Sequence, residues 1–448
     1  MYYRRIIDKK LLEWKDAPRR KPLLIRGARQ VGKSTAVRQL AKQFKYFVEV
    51  NLERQPSIRQ LFTKDIDVKR TCETISVITG IPIVTGETLL FIDEIQVSQE
   101  AIMSLRYFKE DFPDLHVIAA GSLLEFALQE LPSFGVGRIR SMYMYPFSFD
   151  EFLLAQGLDS MVEYKRRASA ENPLPQIIHE KLTEHLKTFY LVGGMPAAIT
   201  EWMETKSYQE CVHVHNDILD TYQDDFAKYR SRVSPVLLRK ALKSVALQAG
   251  SKFVYSQVDR ETRTYNIKEA LHLLTLAGVV VPVVHTDGNG LPLGAEANEN
   301  FTKYLFLDLG LMQTLLGTPA AEILLASDLD LVNKGAASEM FAGLELVKYH
   351  DCLQRAELHY WQNLDRGTNA EIDYLEAKDG KVLPIEVKAQ TRGSMQSLWV
   401  FMHKKGLRQA IRTSLENFGQ LDYTDKEDNC SMRHVDIIPL YALSNLQP

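Results

Sequence analysis

The chain is short of the patterns that mark several protein classes. Its four cysteines, Cys72, Cys211, Cys352 and Cys430, are scattered without paired spacing. That excludes a disulfide frame or a zinc ribbon and leaves reduced thiols. No stretch approaches the ~18 apolar residues of a membrane span, and Met1-Tyr2-Tyr3-Arg4-Arg5 leads into no apolar signal region. A cytoplasmic protein with no membrane partner is therefore expected. Neither sign of charge dominates: 54 Lys and Arg stand against 57 Asp and Glu, a net charge of −3. A surface that is basic throughout is excluded, while a local basic face stays open. Internal repeats and low-complexity tracts are lacking as well. At ~150 residues per domain, the length of 448 residues suggests about three domains, each able to bury a core.

What is there begins with a phosphate-binding pattern. Gly27, Ala28, Arg29, Gln30, Val31, Gly32, Lys33 and Ser34, followed by Thr35, complete GxxxxGK[ST] between the apolar Leu23-Leu24-Ile25 and a helical stretch. Gly27 and Gly32 let the backbone turn with its N–H groups inward. Those donors and the positive end of the next helix cradle phosphates. Lys33 is expected to reach the β- and γ-phosphates of ATP, and Ser34 to be a ligand of Mg²⁺.

A second apolar run, Thr88 to Ile92, has the continuous pattern of a strand buried on both faces and ends in Asp93-Glu94. Carboxylates at the carboxyl end of such a strand lie in the ligand crevice of an open α/β sheet. Asp93 is expected to hold Mg²⁺ or its water, and Glu94 to orient and polarise the attacking water. A third strand, Leu115 to Ala120, ends in Gly121-Ser122. Ser122 either senses the γ-phosphate or caps the next helix.

The phrase Arg26 to Ser34, with Leu90-Phe91-Ile92-Asp93-Glu94-Ile95-Gln96 and Ala120-Gly121-Ser122, resembles a large prokaryotic group of AAA-type ATPases that share a C-terminal domain of uncharacterised function. The likeness runs on through Gly137-Arg138, Tyr145 to Phe152 and Leu191 to Pro196, covering nearly the whole chain. It implies Arg138 as a finger donated to a neighbouring subunit of a homo-oligomer, with an ordinary surface arginine as the alternative. It also implies that Gly194-Met195-Pro196 packs near the nucleotide, with a helix break before a proline-started helix as the alternative.

Beyond the ATPase core the pattern becomes helical from Ile177 to Arg230, and the polar stretch Tyr164 to Pro175 reads as a lid loop or linker. Cys211, His213 and His215 alternate on a helix, where residues two apart diverge, so they are not expected to share a metal. Residues 237–249, 255–259 and 265–277, then a valine-rich strand and the Thr286 to Gly290 turn, predict a winged helix-turn-helix. Around its third helix Arg260, Arg263 and Lys268 are mixed with Asp259, Glu261 and Glu269. That is not a basic stripe, and it favours an architectural role over DNA contact.

Near the C-terminus Asp379-Gly380 is a hairpin signal between Glu371–Leu375 and Val382–Lys388. A two-residue loop pairs Lys378 with Lys381 and sets Asp373 opposite Glu386 and Glu371 opposite Lys388. Ile372, Tyr374, Leu383, Ile385 and Val387 take the other face, and Pro384 predicts an edge or bulged strand. Opposed carboxylates need a positive partner, either Lys388 or a divalent ion. The set Asp373, Glu386 and Lys388, with Glu339 on an upstream helix, resembles the PD-(D/E)xK nucleases, although Ile372 stands where their proline would. There the acids hold the metal and the lysine stabilises charge or activates water.

The fold class expected is α/β: an AAA-type P-loop ATPase core (1–155), a helical lid and connector (156–233), a winged-helix-like middle (234–317) and a restriction-endonuclease-like C-terminal domain (318–448). The function expected is Mg-dependent ATP binding and hydrolysis, coupled to a domain that binds DNA, RNA or a protein partner. The alternatives are an ATP-coupled nuclease and a slow ATP-gated protein-binding switch.

Overall fold

Runs that are apolar at consecutive or alternate positions become strands whose core side chains are withdrawn from water. Leu23–Arg26 forms β1, Tyr46–Asn51 β2, Thr88–Asp93 β3, His116–Ala120 β4 and Arg140–Tyr143 β5. They make one parallel sheet in the order β2-β3-β4-β1-β5. All six residues of β3 and all five of β4 are buried, as strands covered by helices on both faces require. Helices Val68–Thr79 and Gln99–Asp111 contribute Ile75, Ile102 and Leu105 to the core around Val48, Leu90, Ile92 and Val117. Their starts are fixed by N-caps: Asp67 accepts from the Lys69 and Arg70 N–H groups, and Ser98 from that of Ala101.

The computed structural model describes residues 2–63, 65–129, 137–229, 232–320, 335–364, 370–388, 395–426, 428 and 430–446. The chain divides into two units. The parallel sheet belongs to the first, which spans Met1–Phe147 and takes in Leu276–Val279 and Asp351–Arg355. The Cys352 carbonyl accepts from the Tyr143 N–H at 2.7 Å, and so covers the open edge of β5.

The second unit opens with helices Phe149–Ala155, Asp159–Arg166, Gln176–Val192, Pro196–Thr205 and Tyr208–Asp225. Phe149, Phe152, Phe189, Tyr190 and Phe341 pack ring against ring there, with centroids 5.2–6.5 Å apart. Tyr164–Arg166, read from sequence as loop, are helical. Lys165 is fully buried, with Nζ 2.7 Å from Asp150 Oδ1 and donating to Ser444 Oγ at 2.6 Å. A polar residue whose charge is paired is a core residue, and composition alone hides it. At Gly193-Gly194-Met195-Pro196 one helix ends and the next begins with proline. The Gly194 N–H donates to Asp308 Oδ2 at 2.5 Å.

Helices Pro235–Leu247 and Thr264–Leu276, with a 3₁₀ turn at Tyr255–Gln257 between them, lead into β6 (Val280–Thr286) and β7 (Ala297–Phe306). These two strands, expected to be a wing, also form the edge of a larger sheet with β8 (Leu358–Gln362), β9 (Glu371–Lys378), β10 (Lys381–Val387), β11 (Gln409–Ser414), β12 (Gly419–Asp425) and β13 (Ser431–Pro439). Its order is β12-β13-β11-β10-β9-β8-β6-β7, so the sheet runs across the 317/318 boundary drawn from sequence. Helix Gln396–Lys405 covers one face through Leu398, Phe401 and Met402. Helix Ala336–Tyr349 packs on the same sheet. No helix among the described residues is long and apolar enough to cross a membrane.

Candidate functional site

The strand order puts the first candidate site together. β4 lies between β1 and β3, so the carboxyl ends of β1, β4 and β3 deliver the loop at Gly27, then Gly121-Ser122, then Asp93-Glu94 to one crevice. Gly27 has φ 146° and Gly32 φ 99°, left-handed values that glycine adopts without strain. A Cβ on Gly27 would lie 2.1 Å from the Met144 carbonyl oxygen. Helix Lys33–Ala41 starts directly from Gly32. Its first N–H groups, which have no partner earlier in the helix, therefore lie at the Gly27–Gly32 loop.

Lys33 is 7% exposed and folds back on its own loop, donating to the carbonyls of Gly27 (2.9 Å) and Ala28 (2.7 Å). Burial lowers its pKa to about 8, against the opposing pull of Glu94 and Asp93. Ser34 Oγ donates to Asp93 Oδ2 at 3.0 Å. Burial, with Glu94 beside it, raises the Asp93 pKa. Glu94 has φ 51°, a strained value for a side chain with a Cβ. Gln96 Nε2 donates to Glu94 Oε2 at 2.6 Å, and Ser122 Oγ to the same atom at 3.4 Å. Ser122 thus touches the carboxylate expected to steer water. Ala28 and Val31 are buried, Arg29 and Ser34 face partly outward, Thr35 is exposed, and Gln30 is exposed at φ 65°.

Three contributors escaped the sequence reading. Gln96, one 3₁₀ turn beyond Glu94, is the carboxylate's nearest support, and its Oε1 is buried without a partner. A Cβ on Gly121 would lie 2.0 Å from that oxygen, so the Gly-Ser pair after β4 admits Gln96. Arg5 is 7% exposed and donates to the carbonyls of Val31 (3.1 Å) and Tyr145 (2.7 Å), with its guanidinium 4.0 Å from the Phe147 ring centroid. Gly278, in the Leu276–Val279 segment, has its Cβ position 3.2–3.3 Å from Ala28 N, Cα and Cβ. Only the two-residue spacing of Glu94 and Gln96 could have been noticed beforehand.

Arg138 does not join the crevice. β5 runs parallel to β1 with Arg140 beside Leu23, so Arg138 lies beyond the amino-terminal end of the sheet, opposite to the loop. It is exposed and ion-paired with Glu110.

The second candidate site is acidic. The hairpin has the predicted register, from Lys378 opposite Lys381 to Tyr374 opposite Ile385, through a turn with Asp379 at φ 50° and Gly380 at φ 73°. β10 is interior, contrary to the edge expectation. Pro384 is tolerated because the β11 ladder begins only at Ile385. The face assignment also changes. Between Trp361–Ile372 and His359–Leu375 the pairing with β8 shifts, giving β9 one extra residue. Ile372 therefore joins Leu375 in the core under helix Gln396–Lys405. Tyr374 turns to the other side, where its hydroxyl donates to the Glu339 carbonyl at 2.7 Å.

Glu339, Glu371 and Asp373 each bring a carboxylate oxygen within 4.8 Å of the others. The sequence reading gave the third place to Glu386, which instead pairs with Lys388 at 2.5 Å. Burial pushes the Glu386 pKa up to about 7. Asp373 Oδ2 accepts from the Val387 N–H at 2.7 Å, and burial raises its pKa as well. Burial likewise pushes Glu339 up to about 8. The positive partner is Lys303 of β7, 1% exposed, with Nζ 2.7 Å from Glu339 Oε1 and also bonded to Glu371. Its ammonium lies over the Tyr360 ring, 5.1 Å from Nζ to centroid. Three acids close enough for one cation thus already enclose an ammonium, and a divalent ion would have to displace it.

The alternating Cys211, His213 and His215 diverge. His215 is bonded to Thr314 Oγ1 and the Val192 carbonyl, Cys211 is buried against the Ala198 carbonyl and His213 faces Glu210.

Residues 19–153 match the family described as AAA domain. Residues 183–322 and 334–443 match two families described only as domains of unknown function, DUF8612 and DUF4143. An uncharacterised protein of Methanocaldococcus jannaschii is 22% identical over 203 residues, 44% of this chain and 42% of that protein. The chain therefore spans under half the length of this relative. Among solved structures, the Walker-type ATPase PABY2304 of Pyrococcus abyssi is 15% identical with a TM-score of 0.45, over 70% of this chain and 96% of its own. The RuvB Holliday junction branch migration motor of Thermotoga maritima is 16% identical with a TM-score of 0.27, over 61% of this chain and 88% of its own. The segment 19–153 is accordingly similar to AAA domains.

Proposed function

We propose that this domain binds Mg·ATP in the loop Gly27–Ser34 and hydrolyses it. The observation that carries the reading is the convergence of Lys33, Ser34, Asp93 and Glu94 on one crevice, with Gln96 and Ser122 holding Glu94. The donor set fits the ligand. Ser34 and Asp93 already share a hydrogen bond and form the hydroxyl and carboxylate pair that takes Mg²⁺. Lys33 rests on two loop carbonyls, a position from which its ammonium can turn to phosphate oxygens. The metal supplies neutralisation of charge on the β- and γ-phosphates. Glu94 orients the water, and Gln96 restricts the carboxylate to one aim.

Coupling to the rest of the chain rests on Leu276–Val279, which joins helix Thr264–Leu276 to β6 and touches the phosphate loop at Ala28. Nucleotide state thereby reaches the larger sheet, which we read as the part that engages DNA, RNA or a protein partner. Arg138 lies away from its own crevice, so any catalytic part it takes is in a neighbouring subunit's site. The nuclease alternative is favoured by the close Glu339, Glu371 and Asp373 carboxylates and opposed by the Lys303 ammonium among them. Mn²⁺-dependent cutting that disappears in Asp373→Ala and Lys388→Ala would establish it.

The test of the main reading is Lys33→Ala. Its ATP turnover is expected to fall by about 10²–10³, with nucleotide binding weakened in parallel. A variant that binds and hydrolyses ATP like the parent refutes the assignment. Single-turnover and steady-state hydrolysis, each with and without DNA, separate a coupled machine from a slow switch, whose turnover is poor and not stimulated by DNA.

A further inference from the structure

The hairpin β9–β10 carries a feature that neither the ATP reading nor the acid cluster uses. Glu376 stands opposite Leu383, two residues beyond Tyr374. A cavity of about 410 Å³ opens beside it, walled by Leu346 of helix Ala336–Tyr349, Leu383 and Ile385 of β10, and Leu446 at the end of the C-terminal 3₁₀ segment. That volume suits a small organic ligand. Two polar groups belong to the wall. Glu376 has no hydrogen bond or ion pair among the described residues, and burial alone pushes its pKa up to about 7. Asn445 Nδ2 donates to the Lys165 carbonyl at 2.9 Å, which fixes the orientation of its amide. Asn445 Oδ1 is left buried and without a partner.

The unpaired Glu376 carboxylate is an acceptor lining a cavity of mixed polar and apolar surface, and its burial costs free energy until a donor reaches it. The other charged lining groups are Lys378 and Asp379 at the exposed turn; Lys378 Nζ is 3.4 Å from the Leu446 carbonyl. Leu346, Asn445 and Leu446, the contributions of the two packed elements, carry no titratable side chain. The complement is a cationic donor on an aliphatic stem.

We propose that this cavity is a binding site for an alkylammonium group, its cation on Glu376 and its stem along Leu346, Leu383, Ile385 and Leu446. The group comes either from a free aliphatic amine or from a lysine side chain of a partner peptide. The site is independent of ATP binding and of the acid cluster.

Calorimetric titration of the full chain with n-pentylamine, 1,5-diaminopentane and Nα-acetyl-lysine methylamide, with 1-pentanol as the neutral control, tests it. The amines are expected to bind and pentanol not. Their affinity is expected to rise about tenfold from pH 6 to pH 8 as Glu376 ionises, because the amines stay protonated throughout. Glu376→Gln is expected to fold with a midpoint at pH 8 no lower than the parent's, to bind at least about tenfold more weakly and to lose the pH dependence. Leu383→Trp, which fills the cavity and keeps Glu376, is expected to abolish binding. Tighter binding of the lysine derivative assigns the site to a peptide partner, and tighter binding of the diamine to a free amine. Dissociation constants all weaker than about 10 mM, equal affinity for pentanol, or amine binding unchanged in Glu376→Gln would each overturn the proposal.

Discussion

Lys33 and Lys303 are both almost wholly buried, and their surroundings are opposite. Among the described residues Lys33 has only backbone carbonyls within bonding distance, so burial prevails and its pKa falls to about 8. Lys303 is also penalised by burial, yet Glu339, Glu371 and Asp373 outweigh the penalty and hold its ammonium firmly protonated. The first charge is available to a polyanion and the second is already neutralised. A lysine beside carboxylates therefore says little about function until its existing partners are counted. On the function proposed above the Gly27–Ser34 loop keeps its lysine for a ligand, whereas the acid cluster already holds its own cation.

That contrast breaks first at Glu94. If the crevice hydrolyses ATP, Glu94→Gln is expected to lower turnover by about 10²–10⁴ while leaving ATP affinity nearly unchanged, because the amide keeps the side chain's shape. Steady-state phosphate release and equilibrium nucleotide binding check the split. Loss of affinity equal to loss of turnover would make Glu94 a binding residue only.

The next largest effect is expected at Lys303. Lys303→Met leaves three carboxylates facing one another and is expected to cost about 3–5 kcal/mol of stability, as removal of one partner from a buried ion pair does. Urea unfolding measures it. Adding Glu339→Gln is expected to restore part of the loss. Full stability of the single variant, with Mn²⁺ bound in its place, would instead make the lysine a plug in a metal site.

Proton linkage sharpens the comparison with a smaller effect. Lys33 sits near 8 in the fold against an ordinary value of 10.5. Between those values the unfolded chain binds more protons, so this group makes stability rise with pH in that window. ATP favours the charged form, so its affinity is expected to fall about tenfold from pH 7 to pH 9 as Lys33 deprotonates. Calorimetry in buffers of different ionisation enthalpy should show proton uptake on binding near pH 8.5. Lys303 behaves otherwise. Its raised pKa gives a contribution that is complete below 10.5 and lost only above it. No change from this group is expected between pH 6 and pH 9.

The legible parts of the chain were those set by short-range chemistry. Gly27 to Ser34 spells its loop, the apolar Thr88–Ile92 run ends at Asp93, and Asp379-Gly380 fixes a two-residue turn and its register. What stayed hidden depends on residues distant in sequence. The bulge in β9 comes from its pairing with β8, and it sends Tyr374 toward Glu339 and Ile372 into the opposite core. Lys303 reaches Glu371 from 68 positions away across a sheet whose order no local pattern gives. Lys165 lay in a stretch polar enough to pass for loop because its partners are Asp150 and Ser444.

Arg5 belongs to the hidden class and sets the finest test. A phosphate loop works only if its N–H groups face inward, which requires its carbonyls to face away and be satisfied elsewhere. Arg5 satisfies the Val31 carbonyl and ties it to Tyr145 through one planar guanidinium. Lysine cannot reproduce that fork. Arg5→Lys is thus expected to keep the fold and weaken ATP binding about three- to tenfold, the loss of roughly one charge-assisted hydrogen bond, with kcat at saturating ATP within about twofold of the parent. A lower thermal midpoint with unchanged KM would make Arg5 a structural residue. A raised KM with unchanged midpoint makes it a positioning residue of the phosphate loop, whose carbonyl it holds from 26 positions upstream.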